Sequence, residues 1–152
     1  MISRETPVHE YLFPVEGKSF NNAGRVSTQV KALLNNMNLS KEVVRRAAVV
    51  TYEAEINMCC YADHGKILLR VTPRFVIIEA IDEGQGIEDI ELAMKEGYST
   101  ATPQIREMGF GAGMGLSNMK NFSDTFRIIS EPGKGTHLKM LIAIDRQANT
   151  LQ

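Results

Sequence analysis

The chain has few of the residues from which disulfide frameworks, zinc sites and polyanion-binding surfaces are built. Its two cysteines, Cys59 and Cys60, are adjacent. Neighbours in sequence make a poor structural clamp, and their helical setting reads as buried thiols. Such usage fits a reducing, cytoplasmic compartment. The three histidines, His9, His64 and His137, are scattered, so no zinc-ligand spacing arises. Opposite charges nearly cancel, with a net charge of -1. That argues against a broad electrostatic footprint for nucleic acid or an anionic membrane. No apolar run is long enough to span a bilayer, none at the N-terminus resembles a signal peptide, and no repeat or low-complexity tract stands out. What remains is a chain of 152 residues, 43% of them hydrophobic, which fits one domain over 1–152 with a single core.

Periodicity divides this chain into alternating elements. Tyr11-Leu-Phe-Pro-Val15 reads as a first strand, with Pro14 marking an edge. Val26, Val30, Leu33, Leu34 and Met37 recur at helical spacing within Asn21–Met37. That helix could pair with a second copy or hold a partner, although its apolar stripe reads more readily as core. Ser40 is placed to cap a second helix running to about Ala62, with Glu42 in its favourable first turn. Lys66–Thr72 and Arg74–Asp82 are β-rich runs about Thr72-Pro73 and predict a hairpin. Short helices are expected over Glu88–Gly97 and Leu116–Phe122, and strands over Thr125–Ser130 and His137–Ile144, the last two separated by the turn Pro132-Gly-Lys-Gly135. The expected class is α+β: a two-layer sandwich, a mixed sheet with helices on one face.

Three segments carry the chemistry. Glu53 and Asn57 are four apart on the second helix and so share a face. Among apolar neighbours a carboxylate needs water, a partner or a metal. The Asn57 amide oxygen suits Mg²⁺, and Glu53 could take a proton from an attacking hydroxyl or water. The plainer alternative is a polar stripe where the helix reaches solvent. Glu55 points away from this pair and is expected to be solvated, near Arg45 or Lys66.

In the second segment, Asp82 ends a buried-strand run and is followed by Glu83-Gly-Gln-Gly-Ile87. A carboxylate there can accept a hydrogen bond from an exocyclic amino group, which favours adenine over guanine. Gly84 and Gly86 would let the backbone turn and approach a flat ring, with Ile87 packing beside it. An ordinary strand-ending turn has the same composition.

The third segment alternates Gly109, Gly111, Gly113 and Gly115, with Met114 and Leu116 at its end. Such spacing frees backbone N–H groups for an anion, and a helix beginning near Gly115 would aim its positive end at phosphates. Ser117 and Asn118 could add donors. A flexible hinge is the competing reading. No Lys-Ser/Thr follows, which excludes a Walker A loop, and no β-branched strand directly precedes, which argues against a dinucleotide fingerprint. About twenty residues of weak pattern separate the second and third segments, long for an idle connection, and predict a lid over the nucleotide. Tyr98, Ser99, Thr100, Lys95 and Arg106 are candidate phosphate contacts there. Thr136, after the late turn, could bring a hydroxyl near the adenine.

In this order, the helical E-x-x-x-N, the DxGxGI loop, the GxGxGL loop and the late Gly135-Thr136 resemble the N box and G boxes of the GHKL ATPases, over roughly residues 47–141. That group includes sensor histidine kinases, gyrase B, a heat-shock chaperone family and MutL. The resemblance implies the Bergerat ATP-binding fold. It implies Glu53 as catalytic base and Asn57 as Mg²⁺ ligand. Asp82 would contact adenine with help from Gly86 and Thr136, and Gly111, Gly113, Gly115 and Leu116 would line the phosphates. The short chain is similar to bacterial anti-sigma-factor serine/threonine kinases. Glu96-Gly97-Tyr98-Ser-Thr100 and Glu131-Pro-Gly-Lys-Gly-Thr136 are most like the switch kinases of general-stress signalling. Tyr61, where many sigma-sequestering members carry histidine, and the lack of an arginine just before Gly113 point to the same branch. Such proteins use ATP and Mg²⁺ to phosphorylate a serine or threonine on a STAS-domain partner, and some sequester a sigma factor. The expected function is therefore an ATP-dependent protein kinase. The alternative is an ATP/ADP-dependent binding module with little chemistry. The catalytic half of a histidine kinase ranks third, because no helical segment bearing a phospho-acceptor histidine is evident.

Overall fold

A computed structural model describes residues 9–95 and 114–144. In chain order the elements are β1 (His9–Glu16), α1 (Arg25–Asn35), α2 (Lys41–Tyr61), β2 (Ala62–Val71), β3 (Phe75–Gly84), α3 (Ile90–Ala93), α4 (Gly115–Asn121), β4 (Thr125–Glu131) and β5 (Gly135–Ala143). The strands form one sheet in the order β1-β2-β3-β5-β4.

The two-layer α+β architecture is the expected one, but the strand directions are simpler than a mixed sheet. All four described pairings are antiparallel. Two of them, β2–β3 and β4–β5, are hairpins. The β2–β3 turn is closed by Thr72, whose Oγ1 accepts from Phe75 N at 2.9 Å while its own N–H donates to Phe75 O at 2.9 Å. Strand β1 lies at an edge, where the missing N–H of Pro14 costs no central ladder bond.

Side-chain alternation sorts the sheet into two faces. Ile67, Leu69, Val76, Ile78, Ala80, Leu138, Met140 and Ile142 face the helices and are buried. The other face centres on Glu79, buried between Arg70 (2.7 Å) and Lys139 (3.5 Å). Helix α2 is the hub: it packs on β1, β2, β3 and β5 and on the two helices α1 and α4. The Ser40 cap is present, its Oγ accepting from Val43 N at 3.2 Å. Cys59 and Cys60 are buried as expected, and burial pushes both thiols up to about 11. The apolar stripe of α1, Val26, Val30 and Leu34, is core.

Two further readings need correction. Helix α1 begins at Arg25 rather than Asn21, because Gly24 takes a left-handed conformation (φ 92°) that ends the preceding turn. Glu55 is not solvated: it is 2% exposed, and its two carboxylate oxygens accept the N–H groups of Val26 (3.1 Å) and Ser27 (3.3 Å). It caps the start of α1, which has no side-chain cap of its own. A negative charge belongs there, beside the unpaired N–H groups and the positive end of the helix dipole.

Candidate functional site

Helix α2 brings Glu53 and Asn57 to one face, both half-buried, and that face meets α4. A Cβ built on Gly115 would lie 3.1 Å from Asn57 Oδ1 and 3.6 Å from Glu53 Oε2. The absent side chain at Gly115 therefore lets the start of α4 approach these two oxygens closely. Ser117 and Met119 are buried, Met119 within the core, and seat this short helix on the body of the protein.

The second half of the site lies at the ends of β3 and β5. Asp82 and Thr136 are paired in register on the helix-facing side of the sheet. The Thr136 N–H donates to Asp82 Oδ1 at 3.2 Å. Burial raises the Asp82 pKa above its ordinary value, and the Thr136 hydrogen bond pulls it partly back. Its second carboxylate oxygen has no hydrogen-bond partner among the described residues.

Gly86 has φ +71°, and a Cβ there would collide with the backbone carbonyl of Glu131. The close approach at Gly86 is thus made first to the chain's own β4 end. That approach seats the loop, and the Ile87 N–H then donates to Ser130 Oγ at 2.8 Å. Gly84 lies half-buried against Ala62 and Tyr61.

Several residues contribute beyond those singled out from sequence. Ser130 joins the Ile87 loop to Thr136, its hydroxyl 2.8 Å from Thr136 Oγ1. Its clue was a lone small polar residue at an inward position of β4. Gly65 sits opposite Asp82, and a Cβ there would come within 2.9 Å of Met58 Sδ and 3.0 Å of Asp82 Cβ. A glycine inside a strand is the usual sign of such an approach.

Two expected phosphate donors are engaged elsewhere. Ser117 Oγ donates to Met114 O at 3.0 Å, and Asn118 Nδ2 donates to Glu53 Oε2 at 3.2 Å. Met114 is exposed at the start of α4 and Leu116 is half-buried against the core. Gly109, Gly111 and Gly113, together with Tyr98, Ser99, Thr100, Arg106 and the expected lid from residue 96 onward, lie outside the described residues. Lys95 is described and exposed.

The donor set suits a hard cation. Glu53 and Asn57 offer oxygen only, and no group of three or more His, Cys, Asp or Glu side chains gathers among the described residues. Mg²⁺ is commonly held by one or two protein oxygens, with phosphate and water completing the shell. No described helix is long and apolar enough to cross a membrane.

Residues 39–146 match the family described as histidine kinase-, DNA gyrase B-, and HSP90-like ATPase. An anti-sigma F factor of Caldanaerobacter subterraneus subsp. tengcongensis is 34% identical over 124 residues, covering 78% of this chain and 83% of the relative. An anti-sigma F factor of Clostridium acetobutylicum is 31% identical over 136 residues, covering 86% and 88%. The serine/threonine-protein kinase RsbT of Bacillus subtilis is 32% identical over 100 residues, covering 66% and 64%. The matched span, more than half of the chain, identifies the protein as a member of the histidine kinase-, DNA gyrase B- and HSP90-like ATPase family.

Proposed function

We propose that this protein is an ATP-dependent serine/threonine protein kinase whose substrate is a STAS-domain regulator of a sigma-factor circuit. The observation that carries the reading is the meeting of Glu53 and Asn57 with Gly115, beside a second group, Asp82 paired with Thr136, at the ends of β3 and β5. The names of the relatives, a serine/threonine-protein kinase among them, support it.

In this reading Asp82 accepts the adenine amino group, with Gly84, Gly86, Ile87 and Thr136 shaping the ring's surroundings. Gly111, Gly113, Met114, Gly115 and Leu116 line the phosphates. Asn57 holds Mg²⁺, which when bound offsets phosphate charge. Glu53 accepts the proton of the partner's hydroxyl as that oxygen attacks the γ-phosphorus.

The test is incubation with Mg²⁺, [γ-³²P]ATP and the STAS-domain protein encoded nearest this chain's gene, followed by phosphoamino-acid analysis. Phosphoserine or phosphothreonine, strongly reduced in Glu53→Gln, is the expected result. Folded, nucleotide-binding protein that transfers nothing would refute the kinase reading.

A second reading is favoured by the anti-sigma F factor relatives: nucleotide sets which partner is held, with sigma-factor sequestration as the output. Partner affinity measured with ATP present separates the two. Regulation that survives Glu53→Ala would belong to the binding module. Sedimentation of the same samples would tell whether the chain works as a pair.

A further inference from the structure

The Glu53 carboxylate is not free to turn. Its Oε2 accepts from Asn118 Nδ2 at 3.2 Å, a partly buried bond between residues 65 positions apart. A carboxylate can only accept, so the amide must present its nitrogen. Asn118 is itself held: its backbone N–H donates to Met114 O at 2.8 Å, and its neighbours Ser117 and Met119 are buried. On α4, Asn118 follows Gly115 by three positions and shares its face. One short helix thus meets Glu53 and Asn57 with a bare backbone at Gly115 and an amide donor at Asn118. Oε1 of Glu53 has no hydrogen-bond partner among the described residues.

We propose that Asn118 is a positioning residue for the general base, holding Oε2 so that Oε1 is presented to the incoming hydroxyl. The inference rests on the kinase reading of this site. In the transfer, the partner's hydroxyl oxygen bonds to the γ-phosphorus, and the bond from that phosphorus to the β,γ-bridging oxygen breaks. The bridging oxygen leaves with the electron pair on ADP, and the hydroxyl proton goes to Oε1. An untethered glutamate rotates among several rotamers, and few of them align Oε1 with that proton. Because Asn118 stands on the helix that ends the glycine-rich segment, the base is oriented by the same element that borders the phosphates.

The test uses the full chain with Mg·[γ-³²P]ATP and the STAS-domain protein encoded nearest its gene. Asn118→Ala removes the donor, and Asn118→Asp keeps the shape while setting a second carboxylate against the first. For Asn118→Ala, kcat falls roughly tenfold to one-hundredfold, a share of what a placed base contributes. Asn118→Asp falls further. The KM for ATP stays within about twofold, since the adenine and phosphate contacts are elsewhere. In a Glu53→Ala background, Asn118→Ala changes the residual rate by less than about twofold, because the group it positions is gone.

A wild-type kcat in Asn118→Ala overturns the inference and leaves the kinase reading standing. So does an equal loss of rate in the Glu53→Ala background, which would mark Asn118 as merely structural. Wild-type protein that transfers no phosphate overturns the kinase reading and the inference with it. Should Asn118→Ala melt early, the isosteric Asn118→Asp carries the comparison.

Discussion

Replacing Asp82 by Asn separates the adenine role proposed for this residue from its place in the fold. Oδ1 accepts the Thr136 N–H at 3.2 Å, and the other oxygen is unengaged among the described residues. In Asp82→Asn the amide oxygen keeps the Thr136 bond, so the amide nitrogen replaces the free oxygen. A donor then faces the exocyclic amino group of adenine. The loss is one hydrogen bond to a charged acceptor, about 1.5–3 kcal/mol, and ATP affinity falls roughly tenfold to 150-fold. Discrimination against GTP narrows, because the amide donates where guanine carries an oxygen.

Stability moves the other way. Burial raises the folded-state pKa of Asp82 above its ordinary value of 3.8. A carboxyl that holds its proton more tightly when folded stabilises the fold below pH 3.8. It loses that contribution as pH rises through the raised folded value. Asn has no proton to lose. The variant is therefore at least as stable as wild type at neutral pH, and its stability declines less over that acidic window. Titration calorimetry with Mg·ATP and Mg·GTP, beside urea unfolding from pH 4 to pH 8, reads both effects. An affinity within about twofold of wild type would refute the adenine assignment. A loss of affinity matched by loss of stability at pH 7 would make Asp82 a structural residue.

Glu55→Ala leaves the buried N–H groups of Val26 and Ser27 unpaired, and urea unfolding should show a loss of about 2–4 kcal/mol, with Glu55→Gln recovering part of it. A change under about 0.5 kcal/mol would mean that α1 does not depend on this cap. Gly115→Ala should change the melting temperature little, since alanine's preference for the helix opposes the tight contact with Asn57. Its methyl group would sit 3.1 Å from Asn57 Oδ1, so Mg·ATP affinity measured by calorimetry should fall. Unchanged affinity would remove the start of α4 from the nucleotide's surroundings.

Local signals carried a good deal of this molecule. The Ser40 cap, the turn at Thr72-Pro73, the edge position of Pro14 and the helical spacing of Glu53 and Asn57 each depend on residues within a few positions of one another. Such signals survive in a one-dimensional reading because backbone geometry alone decides them. Glu55 shows the limit. It stands two residues from Glu53, and periodicity turned it away from the pair correctly, but not toward solvent. Its destination was set by where α1 docks, a matter of packing between elements.

Asn118 and Ser130 mark the same boundary. Both are polar residues of modest propensity, and nothing near them in sequence names a partner 65 or 43 positions away. By itself, then, the order of residues determined the element types, the α+β class and the shortlist of groups with the chemistry for ATP. Tertiary structure alone decided the all-antiparallel ladder, the cap that Glu55 gives α1, and the alignment of α4 against α2 that holds the Glu53 carboxylate. The physical reason is one of range: helix and turn preferences act over one or two turns of chain, whereas a hydrogen bond between distant residues exists only after hydrophobic burial has brought their elements together.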